Sequence, residues 1–243
     1  MCHAFAEEKL WSHRVFVSFA RAAASAGYAV LRFDFMGHGD SDGESEDCTI
    51  GSYITDLDAA IARLKAECPE LENIALVGLR FGATLASIYA NRRPDVSSIV
   101  LWEPVIDGHT YVQALLRINL TTQLAAYGKV RHDRTTLVRE MRSGIPANID
   151  GYLISTALYD EICDIDLLAN IDTPLPTSCL VLQIALNLSQ PDRSQLVDLS
   201  RRFSSGKFVK VHCPPFWREI KPFCSKVDQL NIPTLDWLES IHV

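Results

Sequence analysis

Apolar positions along the chain follow two rhythms that alternate from the start. From Ser12 to Ala26 they recur at three and four residues, with Val15, Phe19 and Ala22 on one face and Gly27 placed to close the turn. That pattern predicts a helix. Tyr28 to Phe35, rich in β-branched and aromatic residues, predicts a buried strand. Ile50 to Cys68 is helical again, with Ile54, Leu57, Ala60, Ile61 and Leu64 on one stripe and Pro69 ending it. Ile74–Val77 predicts a short buried strand, Phe81 to Arg92 an alanine-rich helix, and Ser98 to Trp102 another strand. From Asp107 to about Asp172 the alternation breaks into a mostly helical, more polar stretch, read as an inserted cap (107–172). It resumes with strand Cys179–Ile184, a helix around Arg193–Phe203, strand Phe208–His212 and a last helix ending near Ser240. Strand and helix in alternation predict an α/β fold, a mostly parallel sheet with helices on both faces. The core is then 1–106 and 173–243.

Composition narrows the function classes. The chain has 243 residues, 48% hydrophobic, with a formal charge of −7, enough to bury roughly three quarters of its unfolded surface without staples. The acidic balance gives no support to nucleic acid or an anionic membrane surface as partner. Seven scattered cysteines include no Cys-x-x-Cys pair, so neither a disulfide framework nor a zinc site is predicted, and no cofactor. No apolar run approaches the ~20 residues of a membrane span, and the opening residues carry no basic-then-apolar leader. The expectation is a cytoplasmic protein whose partner is a small molecule.

Two motifs carry the chemistry. Arg32-Phe33-Asp34-Phe35-Met36-Gly37-His38-Gly39-Asp40-Ser41 is a glycine-rich turn after a strand, and about forty residues later Gly78-Leu79-Arg80-Phe81-Gly82 joins a strand to an alanine-rich helix. Gly78 and Gly82 are needed because so sharp a turn leaves no room for a side chain at either place. The glycine turn lacks both the lysine–serine ending of a P-loop and the third glycine of a dinucleotide fingerprint. Together the two segments resemble the α/β-hydrolase superfamily, in particular its serine aminopeptidase-like hydrolases. His3-Ala4-Phe5-Ala6-Glu7-Glu8-Lys9, Gly78–Ala83 and Pro215-Phe216-Trp217 resemble bacterial homologues associated with exosortase and exopolysaccharide loci.

The resemblance implies a catalytic layout against which this chain departs. The elbow residue of that fold is a nucleophilic serine; here it is Arg80, which stays protonated and has no lone pair to offer. Thr84 and Ser87 lie inside the following helix and are no substitute. The resemblance places the triad acid at Asp192 or Glu103. Asp192 in Pro191-Asp192-Arg193-Ser194 also reads as a helix cap, and Glu103 is also a candidate partner for Arg80. The triad histidine would be His212, or else a strand-end histidine; His242 lies too near the terminus. His38 reads as a surface turn residue, and Lys129, Arg131, His132 and Arg134 as a solvated helix face. Ala4, Phe5 and Phe81 form the region of the oxyanion hole.

The resemblance also implies a mid-sheet strand ending near Met1, between the strand at Tyr28 and the one at Ile74. Without it two rows of backbone groups lack partners, so the expectation is either a chain that starts late or another segment in the slot. Two functions remain open. One is a hydrolase of ester, thioester or amide bonds with a vestigial or unorthodox site. The other is a binding or scaffold protein that holds an anionic ligand at Arg80, beside a helix amino terminus.

Overall fold

The computed structural model describes residues 1–171, 174–218, 224 and 227–241. His242, named above, lies outside them. In chain order the elements are α1 (Glu7–Ser25), α2 (Ile50–Glu67), β1 (Ala75–Leu79), α3 (Phe81–Arg92), β2 (Ser98–Trp102), α4 (Gly108–Tyr127), α5 (Arg134–Arg142), β3 (Ala147–Ile149), β4 (Tyr152–Ile154), α6 (Thr156–Cys163), α7 (Leu167–Asn170), β5 (Leu175–Ala185), α8 (Ser194–Ser200), β6 (Phe203–His212) and α9 (Asp228–Ile241). The chain divides into two compact units, one of Met1–Phe33, Leu57–Ile106 and Leu167–Val243, the other of Asp34–Asp56 and Asp107–Asp166.

The first unit is an α/β structure built on a parallel sheet in the order β1-β2-β5-β6. Val77 lies opposite Val100, Val100 opposite Leu180, and Val181 opposite Phe208. β2 is buried at every position, as a strand covered on both faces must be. Its last residue, Trp102, meets Phe16 and Phe19 of α1 edge to face, at 5.6 and 4.9 Å between ring centroids, and its indole N–H donates to Thr234 Oγ1 (3.1 Å). One end of this aromatic core is thus tied to α1 and the other to α9.

Residues 28–35 depart from the predicted buried strand. They form no ladder, and Ala29 and Arg32 are exposed while Tyr28 and Val30 pack against the core. Met1 and Cys2 lie between residues 28–33 and β1: the Met1 amine donates to Leu31 O (2.8 Å), Cys2 N–H donates to Val77 O (2.8 Å), and Leu79 N–H donates to Cys2 O (3.2 Å). Beside them lies a cavity of about 390 Å³, lined by Val30, Leu31, Ile74, Ala75 and Val77 among others.

The second unit holds α4, α5 and α6 together with a hairpin, β3-β4, which the sequence reading passed over as part of a helical stretch. Its turn is Asp150-Gly151, both at positive φ (53° and 94°), the dipeptide that tight hairpins favour. Asp107 caps α4, accepting from Thr110 N–H (2.5 Å). His38 is not the surface residue expected of a glycine turn. It is 3% exposed, stacks on Tyr152 at 5.3 Å and bonds through Nδ1 to Met36 O (3.0 Å).

Candidate functional site

The elbow is built as its glycines require. A Cβ at Gly78 would stand 2.5 Å from Ala83 Cα and 2.6 Å from the Gly82 carbonyl, and one at Gly82 would strike the carbonyls of Cys2 and His3. Strand, turn and helix therefore pack at backbone distance. Arg80, between the glycines, holds φ 54° and ψ −121° as the cap of α3. A side chain in that region costs about 1–3 kcal/mol, and surrounding structure must impose it. Its N–H donates to Trp102 O (2.9 Å), and its carbonyl accepts from Ala83 and Thr84. Ala6, at the cap of α1, and Glu103, just past β2, are also at positive φ (50° and 51°). Three strained non-glycine residues thus belong to the loops at the head of β1, β2 and α1.

The Arg80 side chain does not stand open to solvent. Its Nε donates to Glu8 Oε1 (3.1 Å), with side chains only 15% and 11% exposed. A second nitrogen donates to the Glu103 carbonyl (3.3 Å), and the guanidinium lies 5.3 Å from the centre of the Trp217 ring. Glu8 sits in the first turn of α1, where an acid is favoured by the helix dipole. In the sequence it figured only within the His3–Lys9 run, ahead of the helix predicted from Ser12. The strained cap at Ala6 directs that first turn.

Of the predicted acids, neither reaches Arg80 through its carboxylate. Glu103 is 4% exposed; one carboxylate oxygen accepts from Ile184 N–H (2.8 Å) and the other pairs with Arg193. It ties β2, β5 and the start of α8 together. Asp192 pairs with Lys210 Nζ (2.6 Å) and is not the cap of α8, which Arg193 occupies without a side-chain bond. His212 ends β6 with an exposed side chain. So the arginine and the two acids are held by three separate ion pairs.

The two hydroxyls of α3 nearest Arg80 are both engaged with backbone. Thr84 Oγ1 donates to Val105 O (2.7 Å) and accepts from Val105 N–H (3.1 Å), and Ser87 donates back to Ala83 O (3.1 Å). Both are fully buried. The segments expected to form an oxyanion hole lie together: Phe5 and Phe81 meet edge to face at 5.6 Å, both buried, and Ala4 is buried too.

With this geometry in place, the comparisons with known proteins are direct. Residues 1–155 match the profile of the family described as serine aminopeptidase, S33. Palmitoyl-protein thioesterase ABHD10, mitochondrial, of Bos taurus is 39% identical over 85 residues, which is 35% of this chain and 26% of the relative, so the match spans about a quarter of that protein. Among solved structures, the Pyrococcus furiosus esterase PF2001 superposes with a TM-score of 0.64 at 15% identity, covering 98% of this chain and 79% of that one. The Paleococcus ferrophilus monoacylglycerol lipase gives 0.62 at 17%, covering 98% and 92%. Est1E from Butyrivibrio proteoclasticus, solved with ferulic acid bound, gives 0.61 at 16%, covering 93% and 80%. At these identities the likeness is one of fold.

Proposed function

The chain belongs to the serine aminopeptidase S33 family of α/β-hydrolases, and we propose that it is a member whose elbow has been converted from a nucleophile into an internal lock. Its lineage is that of ester and thioester hydrolases, but acyl transfer through a seryl intermediate has no place to occur. The observation that carries this reading is the Arg80–Glu8 pair at 3.1 Å, largely withdrawn from water at the one position the fold reserves for its nucleophile. A guanidinium cannot be acylated and cannot be deprotonated by a histidine. The usual acids are engaged elsewhere, Glu103 with Arg193 and Asp192 with Lys210. What the fold then offers is a binding site for a small molecule of the kind its relatives process. The likeness to exosortase-associated homologues supports a place among exopolysaccharide functions.

A second reading is favoured by one feature, the second guanidinium nitrogen, whose acceptor is a neutral carbonyl. A ligand carboxylate that exchanged with Glu8 would find a bidentate partner there. The two readings part in one set of assays. Under the lock, p-nitrophenyl esters and acyl thioesters turn over no faster than in buffer, a fluorophosphonate probe leaves the protein unlabelled, and acetate or phosphate leaves Tm unchanged. Saturable stabilisation by acetate that disappears in Arg80→Ala decides for the second. Labelling by the fluorophosphonate refutes both.

A further inference from the structure

In the second unit, the loop between α4 and α5 is exposed yet held in one shape. Every residue from Leu124 to Thr135 is exposed. Gly128 closes α4 at φ 67°, its N–H donating to Leu124 O (2.9 Å), and Asp133 opens α5 by accepting from Thr136 N–H (2.7 Å). Between them the backbone is fixed by the buried side chain of Gln123. Its Oε1 accepts from the N–H groups of Arg131 and His132 (2.8 and 2.9 Å), and its Nε2 donates to His132 O (3.0 Å) and to Asn119 Oδ1 (2.8 Å). Asn119, buried too, donates to Asn148 O (3.3 Å) on the hairpin. Buried amides with all these partners rigidify what they hold. The loop so held presents Leu124, Tyr127 and Val130, the first two more than half exposed. Lys129, Arg131 and Arg134 stand among them, the Arg131 guanidinium 3.6 Å from the centre of the Tyr127 ring. The nearby acids are engaged with other groups: Asp133 with the α5 cap, Glu140 with His132 and Asp160 with Arg142.

Residues 117–142 hold six Lys and Arg against two acids, in a chain whose formal charge is −7. The positive charge is therefore local, and at physiological salt, where fields fade over about 8 Å, local charge decides what docks. We propose that the α4–α5 loop is a peripheral docking surface for a bilayer rich in anionic lipid. Leu124, Tyr127 and Val130 enter the interface while Lys129, Arg131 and Arg134 meet headgroup phosphates. Aliphatic and aromatic groups suit the boundary between headgroups and acyl chains, and basic side chains suit the phosphates beside it. A phosphodiester backbone would leave Leu124 and Val130 in water, so the mixture favours a bilayer over a nucleic acid. Because the loop is already fixed, little ordering remains to oppose binding. The contact is one of surface: no described helix is long and apolar enough to cross a membrane.

The test is co-sedimentation with phosphatidylcholine vesicles, with and without about one third phosphatidylglycerol. Saturable binding to the anionic vesicles is expected, at least about tenfold stronger than to the neutral ones and falling as salt rises. Each basic residue near an anionic surface adds about fivefold, so Arg131→Gln/Arg134→Gln should weaken partitioning by about 25-fold. Leu124→Ser/Val130→Ser should weaken it at least about fivefold. All four side chains are exposed, and both variants should keep Tm within about 2 °C of the parent. Arg14→Gln/Arg21→Gln, on the exposed face of α1, should bind as the parent does. Brominated acyl chains should quench the tryptophan emission of Tyr127→Trp more than that of the parent, which a purely ionic contact would not produce. Equal binding to neutral vesicles, either loop variant binding as the parent does, an equal loss in the α1 variant, or equal quenching overturns the proposal. So does a DNA duplex that binds as strongly as the vesicles and is lost with Arg131→Gln/Arg134→Gln, since the surface then reads any polyanion.

Discussion

Replacing Glu8 with glutamine tests the lock most directly. The substitution keeps the shape of the side chain and removes its charge, so Arg80 retains the Glu103 carbonyl and loses the charge of Glu8. For partly buried sites, two unit charges about 4 Å apart attract by about 4 kcal/mol. Removing one member of a buried pair costs about 3–5 kcal/mol, because the other stays behind uncompensated. With side chains 11% and 15% exposed, some water relieves the survivor, and the lower figure, about 3 kcal/mol, applies. For a chain of this size that lowers Tm by about 6–12 °C. Arg80→Met removes the guanidinium from Glu8 and is expected to cost a similar amount. The double variant, which buries neither charge, should lose far less than the sum, with a coupling of about 2–3 kcal/mol in a thermal or urea double-mutant cycle. If the two single changes add within about 0.5 kcal/mol, the pair is not a lock and the reading of the elbow fails.

Other expectations follow from the same geometry. Arg80→Ser should restore no ester turnover above background, since Glu103 and Asp192 remain engaged with Arg193 and Lys210; fluorophosphonate-sensitive activity in that variant would show an assembled triad. Gly82→Ala should abolish cooperative unfolding, or lower Tm by more than about 8 °C, as the new methyl meets the carbonyls of Cys2 and His3. In the native protein at pH 8, Ellman's reagent should spare Cys2, Cys48, Cys179 and Cys213, all buried. Burial pushes the Cys213 thiol up to about 12; all seven thiols should react once the chain is unfolded. Hydrogen bonds from Arg93 and then Tyr89 hold the Asp58 carboxyl below its ordinary range. Its contribution is therefore present above the unfolded pKa of about 3.9 and lost as pH falls through the lower folded value. The Asp58–Arg93 pair is close to half exposed, so Asp58→Asn should cost no more than about 1 kcal/mol at pH 7 and flatten the acid limb of the stability curve.

The fold was legible because it rests on local pattern. Helix periodicity placed Phe81–Arg92 and β-branched runs placed Ser98–Trp102, both at the observed bounds. The elbow was legible for a steric reason: a turn that brings strand and helix to backbone distance admits only glycine at Gly78 and Gly82, and glycine is visible in a sequence. The same holds for Asp150-Gly151, whose hairpin signal was present and was passed over. Residues 28–35 fared worse. Their composition is that of a strand, but a strand exists only through the hydrogen bonds it makes with neighbours, which composition does not show.

By itself, then, the sequence determined the class of fold and the Gly78–Gly82 turn with an arginine between its glycines. Each of these depends on a residue's own size or chemistry at a place set by local spacing. Only the tertiary structure decided what Arg80 does there. Its counter-ion is 72 positions away in sequence, and the two acids the elbow was expected to use face other cations. Ion pairing is a matter of distance and exclusion of water, and neither is written in the order of residues until the chain has closed on itself.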